Sequence, residues 1–180
     1  MRSTHMKLPV LILVMALGAF VVVNGQAPVD AKLLGQLKQA FPGATSFSPK
    51  VAEPPHFKVY VGDPRLPASL AGFAFFTTEL TPLERGYDGP IRVLVGMNTT
   101  GVVTGIVVME HKEPFGDFSI DTRPFSEQFK GKSVRDQFKV GTDIDAISRA
   151  TISVATVARS VRNSGRRIAR ALLTPPGNTQ

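Results

Sequence analysis

The sequence predicts an α+β fold in which a small, mainly antiparallel sheet packs against helices. Residues 91–97 and 102–109 are two apolar runs rich in Val and Ile, and residues 98–101 between them (Asn-Thr-Thr-Gly) are typical of a hairpin turn. Residues 154–173 have helical periodicity and follow a segment rich in Ser and Thr. A hairpin followed by a long amphipathic helix favours one layer of sheet covered by helices.

Shorter elements fill the rest of the predicted domain. They are a helix from Asp30 to Phe41, strands over residues 57–61 and 70–78, and a short helix near residues 126–130. The first of these has a capping Asp, an apolar stripe at helical spacing and a Pro-Gly stop.

The N-terminus resembles an export signal or a membrane anchor. Residues 8–23 are apolar and uncharged, and Arg2 and Lys7 precede them. Basic residues before such a run place the remaining chain outside the cytoplasmic membrane. We therefore expect a signal peptide or transmembrane anchor over residues 1–25, one domain over 26–173 and a tail over 174–180. The domain is expected on the periplasmic side of the cell inner membrane, or free in the periplasm if the signal is cleaved.

Composition excludes several classes of function. The 180 residues contain no cysteine, which excludes disulfides, iron–sulfur clusters and Cys-x-x-Cys-His haem attachment within this chain. The net charge is +7, yet no nucleic-acid-binding motif accompanies it, so we expect no nucleic-acid partner. A basic docking face or attraction to anionic lipid accounts for the charge better.

The last helix carries a line of arginines opposite its apolar stripe. They are Arg159, Arg162, Arg166 and Arg170. This line is either a solvated face or a dock for an acidic redox partner or the membrane surface.

Other catalytic patterns are missing from the sequence. It has no Gly-x-Ser-x-Gly elbow, no Walker A motif and no dinucleotide-binding glycine motif. His111 and Glu113 have the spacing of a possible metal pair, but no third ligand is nearby in sequence, so no metal site is expected.

The start of the last helix is the strongest candidate for chemistry. Residues 145–153 read Asp-Ala-Ile-Ser-Arg-Ala-Thr-Ile-Ser. A helix N-terminus offers unpaired N–H groups and the positive end of the helix dipole, which together suit a phosphate, and Thr151 would place a hydroxyl beside it. Alternatively, Ser148, Thr151 or Ser153 simply caps the helix.

Residues 145–153 resemble the flavinylation motif of FMN-binding domains, Asp-x-x-Ser-Gly-Ala-Thr-x-Ser/Thr. Two other segments resemble the same family in the same order. Residues 86–91 are similar to its Gly-Tyr-x-Gly segment, and residues 108–116 are similar to its segment ending His-x-Glu-Thr-Pro-Gly, although here the ending is Glu-Pro-Phe-Gly. The family includes the periplasmic NosR/NirI-type flavin domains, RnfG and NqrC.

The resemblance implies that FMN is bound covalently, through its phosphate, to the Thr151 hydroxyl. It further implies cofactor contacts from Asp145, Ser148, Arg149, Ala150, Ile152, Ser153, Tyr87, His111, Glu113 and Gly116. Arg149 stands where the family usually has Gly, which serves an unusual φ or close backbone approach.

The roles of three of these residues remain open at this point. Tyr87 is expected either to pack against the flavin ring or to be buried in a turn. His111 and Glu113 are expected to hydrogen-bond the flavin edges, although a histidine at a strand end is often purely structural.

The implied function is electron transfer on the outer face of the cytoplasmic membrane. In the family, a separate flavin transferase makes the phosphoester bond, and partner subunits hold iron–sulfur, haem or quinol-oxidising centres. Two alternatives remain: an assembly or interaction subunit that keeps the fold without flavin, and a flavin-dependent small-molecule reductase.

Overall fold

The computed structural model describes residues 30–80 and 82–173, and these residues surround one antiparallel sheet. The five strands lie side by side in chain order, so each strand pairs with its neighbours in sequence. The elements are α1 (Ala31–Ala40), β1 (Ser46–Phe47), β2 (Phe57–Tyr60), β3 (Leu70–Phe76), β4 (Arg92–Asn98), β5 (Val103–Glu110), α2 (Arg123–Glu127) and α3 (Thr151–Leu172). The predicted α+β fold with an antiparallel sheet is confirmed.

The central strands β3 and β4 are buried on both faces of the sheet. In β4, Val93 and Val95 belong to the core cluster that includes α3, whereas Leu94 belongs to the cluster that includes α1. In β3, Phe75 belongs to the cluster that includes α3, and Phe76 belongs to the cluster that includes α1. Because successive side chains of a strand point to opposite faces, the apolar runs in these strands give the sheet two cores, one under each helix.

Helix α1 sits very close to the sheet. The Asp30 side chain caps it as predicted, accepting the Leu33 N–H at 2.8 Å. At its other end, the Ala40 carbonyl accepts a hydrogen bond from the Thr104 hydroxyl at 2.7 Å. A Cβ on Gly96 would overlap that same carbonyl, so this glycine permits the close approach.

Helix α3 covers the opposite face and is fixed by its arginines. Arg159 pairs with Glu84 at 3.1 Å, and Arg162 donates to the Gln137 carbonyl at 3.0 Å. The Arg166 guanidinium donates to three successive backbone carbonyls, those of residues 134–136, at 2.7 to 3.1 Å. Arg162 and Arg166 are only partly exposed, so the interpretation as a solvated face is wrong there, whereas Arg159 and Arg170 are exposed as that interpretation expects. The side chains of Arg159, Arg162 and Arg166 join α3 to neighbouring loops.

Several elements differ from the predictions in their bounds or were not predicted. Helix α3 begins at Thr151 rather than 154, because the backbone leaves the helical region immediately before it. Helix α2 lies earlier than predicted, since Pro124 occupies its first turn, where the missing N–H costs nothing. Strand β1 was not predicted, because two residues are too few to show alternation.

The predicted N-terminal membrane segment (1–25) and tail (174–180) lie outside the described residues. Among the residues that are described, no helix is long and apolar enough to cross a membrane.

Candidate functional site

The start of α3 opens into a cavity of about 590 Å³. Three separate segments line it: Tyr87, residues 113–115 and residues 149–153. The fold thus brings together the three segments that the sequence singled out.

Helix α3 has no side-chain cap. Its N-cap residue is Ala150, whose carbonyl accepts the first intrahelical bond, from the Val154 N–H at 2.9 Å. The N–H groups of residues 151–153 therefore have no acceptor among the described residues. The alternative in which Ser148, Thr151 or Ser153 caps the helix is wrong. The exposed Thr151 hydroxyl lies beside this uncapped end of a 22-residue helix.

Arg149 adopts a backbone conformation that favours glycine. Its φ is +66°, in the left-handed region, where an L side chain costs about 1–2 kcal/mol. This conformation turns the chain into α3 one residue before the N-cap. The position therefore demands the geometry that a glycine supplies readily, and Arg149 meets that demand at a cost in strain.

Glu113 connects two of the three segments. Its buried carboxylate accepts the N–H groups of Tyr87 at 3.1 Å and Asp88 at 3.0 Å, and it also accepts a hydrogen bond from the Ser153 hydroxyl. A Cβ on Gly86 would overlap the Glu113 carboxylate, so Gly86 lets the loop approach it. Both carboxylate oxygens are thus occupied by protein donors, and the loop at residues 86–89 is held against the first turn of α3.

The protonation of Glu113 follows from these contacts. Burial alone would raise the pKa of this carboxyl. Hydrogen bonds from Ser153, Asp88 and Tyr87, together with the nearby His111, outweigh that effect and leave the pKa below its ordinary value. Glu113 is therefore an anion at neutral pH.

His111 and Gly116 do not line the cavity. The His111 ring packs on Gly116, where a Cβ would overlap it. The His111 Nδ1 accepts the Glu113 N–H at 3.3 Å, and its Nε2 lies 3.8 Å from Asp117 Oδ1. Ligand atoms of His111, Asp117 and Asp121 lie within 4.8 Å of one another, so the fold brings two carboxylates near His111 that sequence spacing did not indicate.

Two further predicted residues lie outside the cavity lining. Asp145 is exposed, and its N–H donates to the Gln128 side chain at 2.7 Å. Ser148 is also exposed. The seven other predicted residues, Tyr87, Glu113, Arg149, Ala150, Thr151, Ile152 and Ser153, all line the cavity.

Exposed apolar side chains surround the cavity. Tyr87 is 71% exposed, so the alternative of a buried tyrosine is wrong. Ile152 is 53% exposed and Phe115 is 48% exposed. Sequence reasoning missed Phe115, although the departure to Glu-Pro-Phe-Gly was visible there. Together these three side chains offer an apolar surface next to the helix end.

Residues 86–164 match the family model of the FMN-binding domain. Over these residues the chain is similar to FMN-binding domains. The matched range contains every residue that lines the cavity.

Similar proteins include components of ion-translocating complexes. The G subunit of the Na⁺-translocating ferredoxin:NAD⁺ oxidoreductase complex of Acetobacterium woodii is 33% identical over 97 residues, which cover 49% of this chain and 46% of that protein. The G subunit of the ion-translocating oxidoreductase complex of Vibrio atlanticus is 36% identical over 107 residues, which cover 52% of this chain and 51% of that protein. The corresponding G subunit of Vibrio vulnificus is 36% identical over 90 residues, which cover 44% of this chain and 42% of that protein. The chain therefore spans about half the length of these relatives.

The residues that line the cavity have the chemistry that FMN binding requires. Three free N–H groups at the start of α3 suit a phosphate, and the apolar side chains at the rim suit an isoalloxazine ring. The cavity volume of about 590 Å³ also lies within the range of small-molecule sites.

We predict that Glu113→Gln destabilises the domain by about 1–3 kcal/mol at neutral pH, because an amide cannot accept all three hydrogen bonds. The difference from wild type should be constant above the ordinary carboxyl pKa of 4.5 and should narrow as the pH falls below it. This sign follows because a carboxyl with a lowered pKa loses its stabilising effect on protonation. Urea unfolding at several pH values measures the difference.

Glu110→Gln is the matched control. Glu110 pairs with Arg92 at 3.1 Å, but its side chain is 71% exposed, so the change should cost less than about 1 kcal/mol. If the difference in unfolding free energy between wild type and Glu113→Gln stayed the same in acid, the role given to the carboxylate would be contradicted.

Arg149→Gly should be more stable than Arg149→Ala by about 0.5–1 kcal/mol. Both variants lack the guanidinium, but only Ala keeps a Cβ in the left-handed conformation, and part of the gain is offset by the greater freedom of Gly in the unfolded chain. Urea unfolding of the two variants measures this difference. Equal stabilities would show that position 149 is not strained in solution.

Proposed function

We propose that this chain carries FMN covalently on Thr151 and serves as an electron-transfer subunit of a membrane redox complex. The observation that supports this most directly is the uncapped start of α3, with the exposed Thr151 hydroxyl, within the range that matches the FMN-binding domain. The proposal places the domain on the periplasmic face of the cytoplasmic membrane.

Each part of the cavity has a task in this proposal. The N–H groups of residues 151–153 donate to phosphate oxygens, assisted by the dipole of α3. Tyr87, Phe115 and Ile152 provide apolar contacts to the ring system. Glu113 holds the Tyr87 loop against the helix and so keeps the two halves of the site together.

The attachment requires an external enzyme. A flavin transferase would use FAD as the donor, and the Thr151 oxygen would form a new bond to the FAD phosphorus that lies on the flavin side of the pyrophosphate. The pyrophosphate P–O bond breaks, AMP leaves, and the hydroxyl proton passes to the leaving phosphate or to solvent. The chain therefore gains FMN less one water.

When bound, FMN supplies reversible one- and two-electron transfer, while the protein supplies orientation and electrostatics. A covalent tether prevents loss of the cofactor in a compartment open to the outside.

Partner subunits complete the proposed pathway. The relatives are named as subunits of ion-translocating oxidoreductase complexes, which supports a similar assembly here. This sequence contains no cysteine to ligate an iron–sulfur cluster. We therefore assign iron–sulfur, haem or quinol-oxidising centres to the partners.

Intact mass of the full chain tests the proposal. The protein is exported together with a flavin transferase, and mass and visible absorbance are recorded before and after denaturation. Wild type should gain one FMN less water and keep its flavin colour when denatured. Thr151→Ala should gain neither, because it lacks the accepting hydroxyl.

Ser148→Ala is the matched control, since it removes a neighbouring exposed hydroxyl that does not line the cavity. It should be modified like wild type. Unmodified, colourless wild-type protein would reject covalent flavin and favour an assembly subunit. Flavin mass on Thr151→Ala would reject Thr151 as the attachment site.

A further inference from the structure

Arg149 places an unused positive charge at the proposed phosphate site. Its side chain is exposed and lines the same cavity as Thr151. The guanidinium has no hydrogen-bond or ion-pair partner among residues 30–80 and 82–173. Arg159, further along α3, differs in this respect, because it pairs with Glu84 at 3.1 Å.

The charge matters because the other ionised group in the cavity is an anion. Glu113 is held as a carboxylate by its hydrogen bonds, so an entering phosphate meets a negative charge. The N–H groups at the start of α3 carry only partial positive charges with which to offset the Glu113 charge. The Arg149 guanidinium adds a full positive charge and several hydrogen-bond donors, so the cavity as a whole attracts an anion.

The Arg149 charge interacts differently with a phosphate monoester and with a phosphodiester. A phosphate monoester carries a charge of about −1.5 to −2 at neutral pH, since its second pKa is about 6. A phosphodiester, such as the link to Thr151, carries a single negative charge. An added guanidinium therefore favours free FMN more than it favours the attached product.

We infer that Arg149 makes this cavity a reversible binding site for the phosphate monoester of free FMN, independent of covalent attachment. The inference rests on the proposed function, because it uses the same cavity and the same cofactor. It adds a second mode of loading that depends on a side chain in place of the usual glycine. The strain at φ +66° is then the cost of placing a charge at this position.

Flavin titration of the full chain, produced without a flavin transferase, tests this inference. FMN and riboflavin are added separately and binding is followed by flavin fluorescence. Because charged hydrogen bonds contribute strongly, FMN should bind at least about tenfold more tightly than riboflavin, which lacks the phosphate. Added salt should weaken the binding of FMN more than that of riboflavin.

Arg149→Gly should lose about tenfold or more in FMN affinity while its riboflavin affinity is unchanged. Arg149→Lys should keep part of the preference, since it retains charge without the planar fork. Arg170→Ala removes an exposed arginine at the far end of α3 and should bind like wild type. Circular dichroism confirms that each variant is folded.

Equal affinities of wild type and Arg149→Gly for FMN would overturn the inference, as would equal affinities of wild type for FMN and riboflavin. Parallel co-expression with a flavin transferase separates the two proposals. If wild type gains covalent FMN but does not bind the free cofactor, only this inference fails. If it does neither, the proposed function fails as well.

Discussion

The buried Glu113 carboxylate is the contact on which the candidate site depends. It lies just after β5, and it accepts hydrogen bonds from the loop at residues 86–89 and from Ser153 in the first turn of α3. The cavity exists because these segments meet around one anion. A buried charge is tolerated only when its hydrogen bonds are satisfied, so the same contacts that fix the loop also stabilise the ionised carboxylate.

The start of α3 combines two costs that a purely structural helix would avoid. Its first N–H groups have no side-chain cap, and the preceding Arg149 is in a left-handed conformation. A capping Ser or Asp and a glycine would each improve stability there. Strain and unsatisfied donors beside one open cavity are typical of a site in which the ligand completes the structure. Both features fit the phosphate binding that we propose for this site.

The arginines of α3 show how a charged line is misread from sequence. Helical spacing correctly places Arg159, Arg162 and Arg166 near one side of the helix, but it carries no information about the loops that pack there. Arg166 satisfies three carbonyls of residues 134–136, which lie about thirty positions away in sequence. Part of the positive charge of the chain therefore makes contacts within the fold.

Local patterns predicted the parts of the fold that depend on local forces. The β4–β5 hairpin follows from two apolar runs and an Asn-Thr-Thr-Gly turn, and the Asp30 cap follows from helix-end chemistry. Long-range contacts were not predictable in this way. Glu113 and Ser153 are forty residues apart, so the sequence indicated both as flavin contacts and gave no sign that they bind each other. Phe115 likewise joins the cavity only because its loop folds back towards α3.

Locating the flavin on the chain tests the central claim most directly. Trypsin cleaves after Arg149 and Arg159, so residues 150–159 form one peptide that contains Thr151, Ser153 and Thr156. Fragmentation of this peptide, from protein matured with a flavin transferase, identifies which hydroxyl carries the flavin. The account predicts the added mass on Thr151, because Ser153 and Thr156 are buried and hydrogen-bonded. Flavin on either of those residues, or only unmodified peptide, would contradict it.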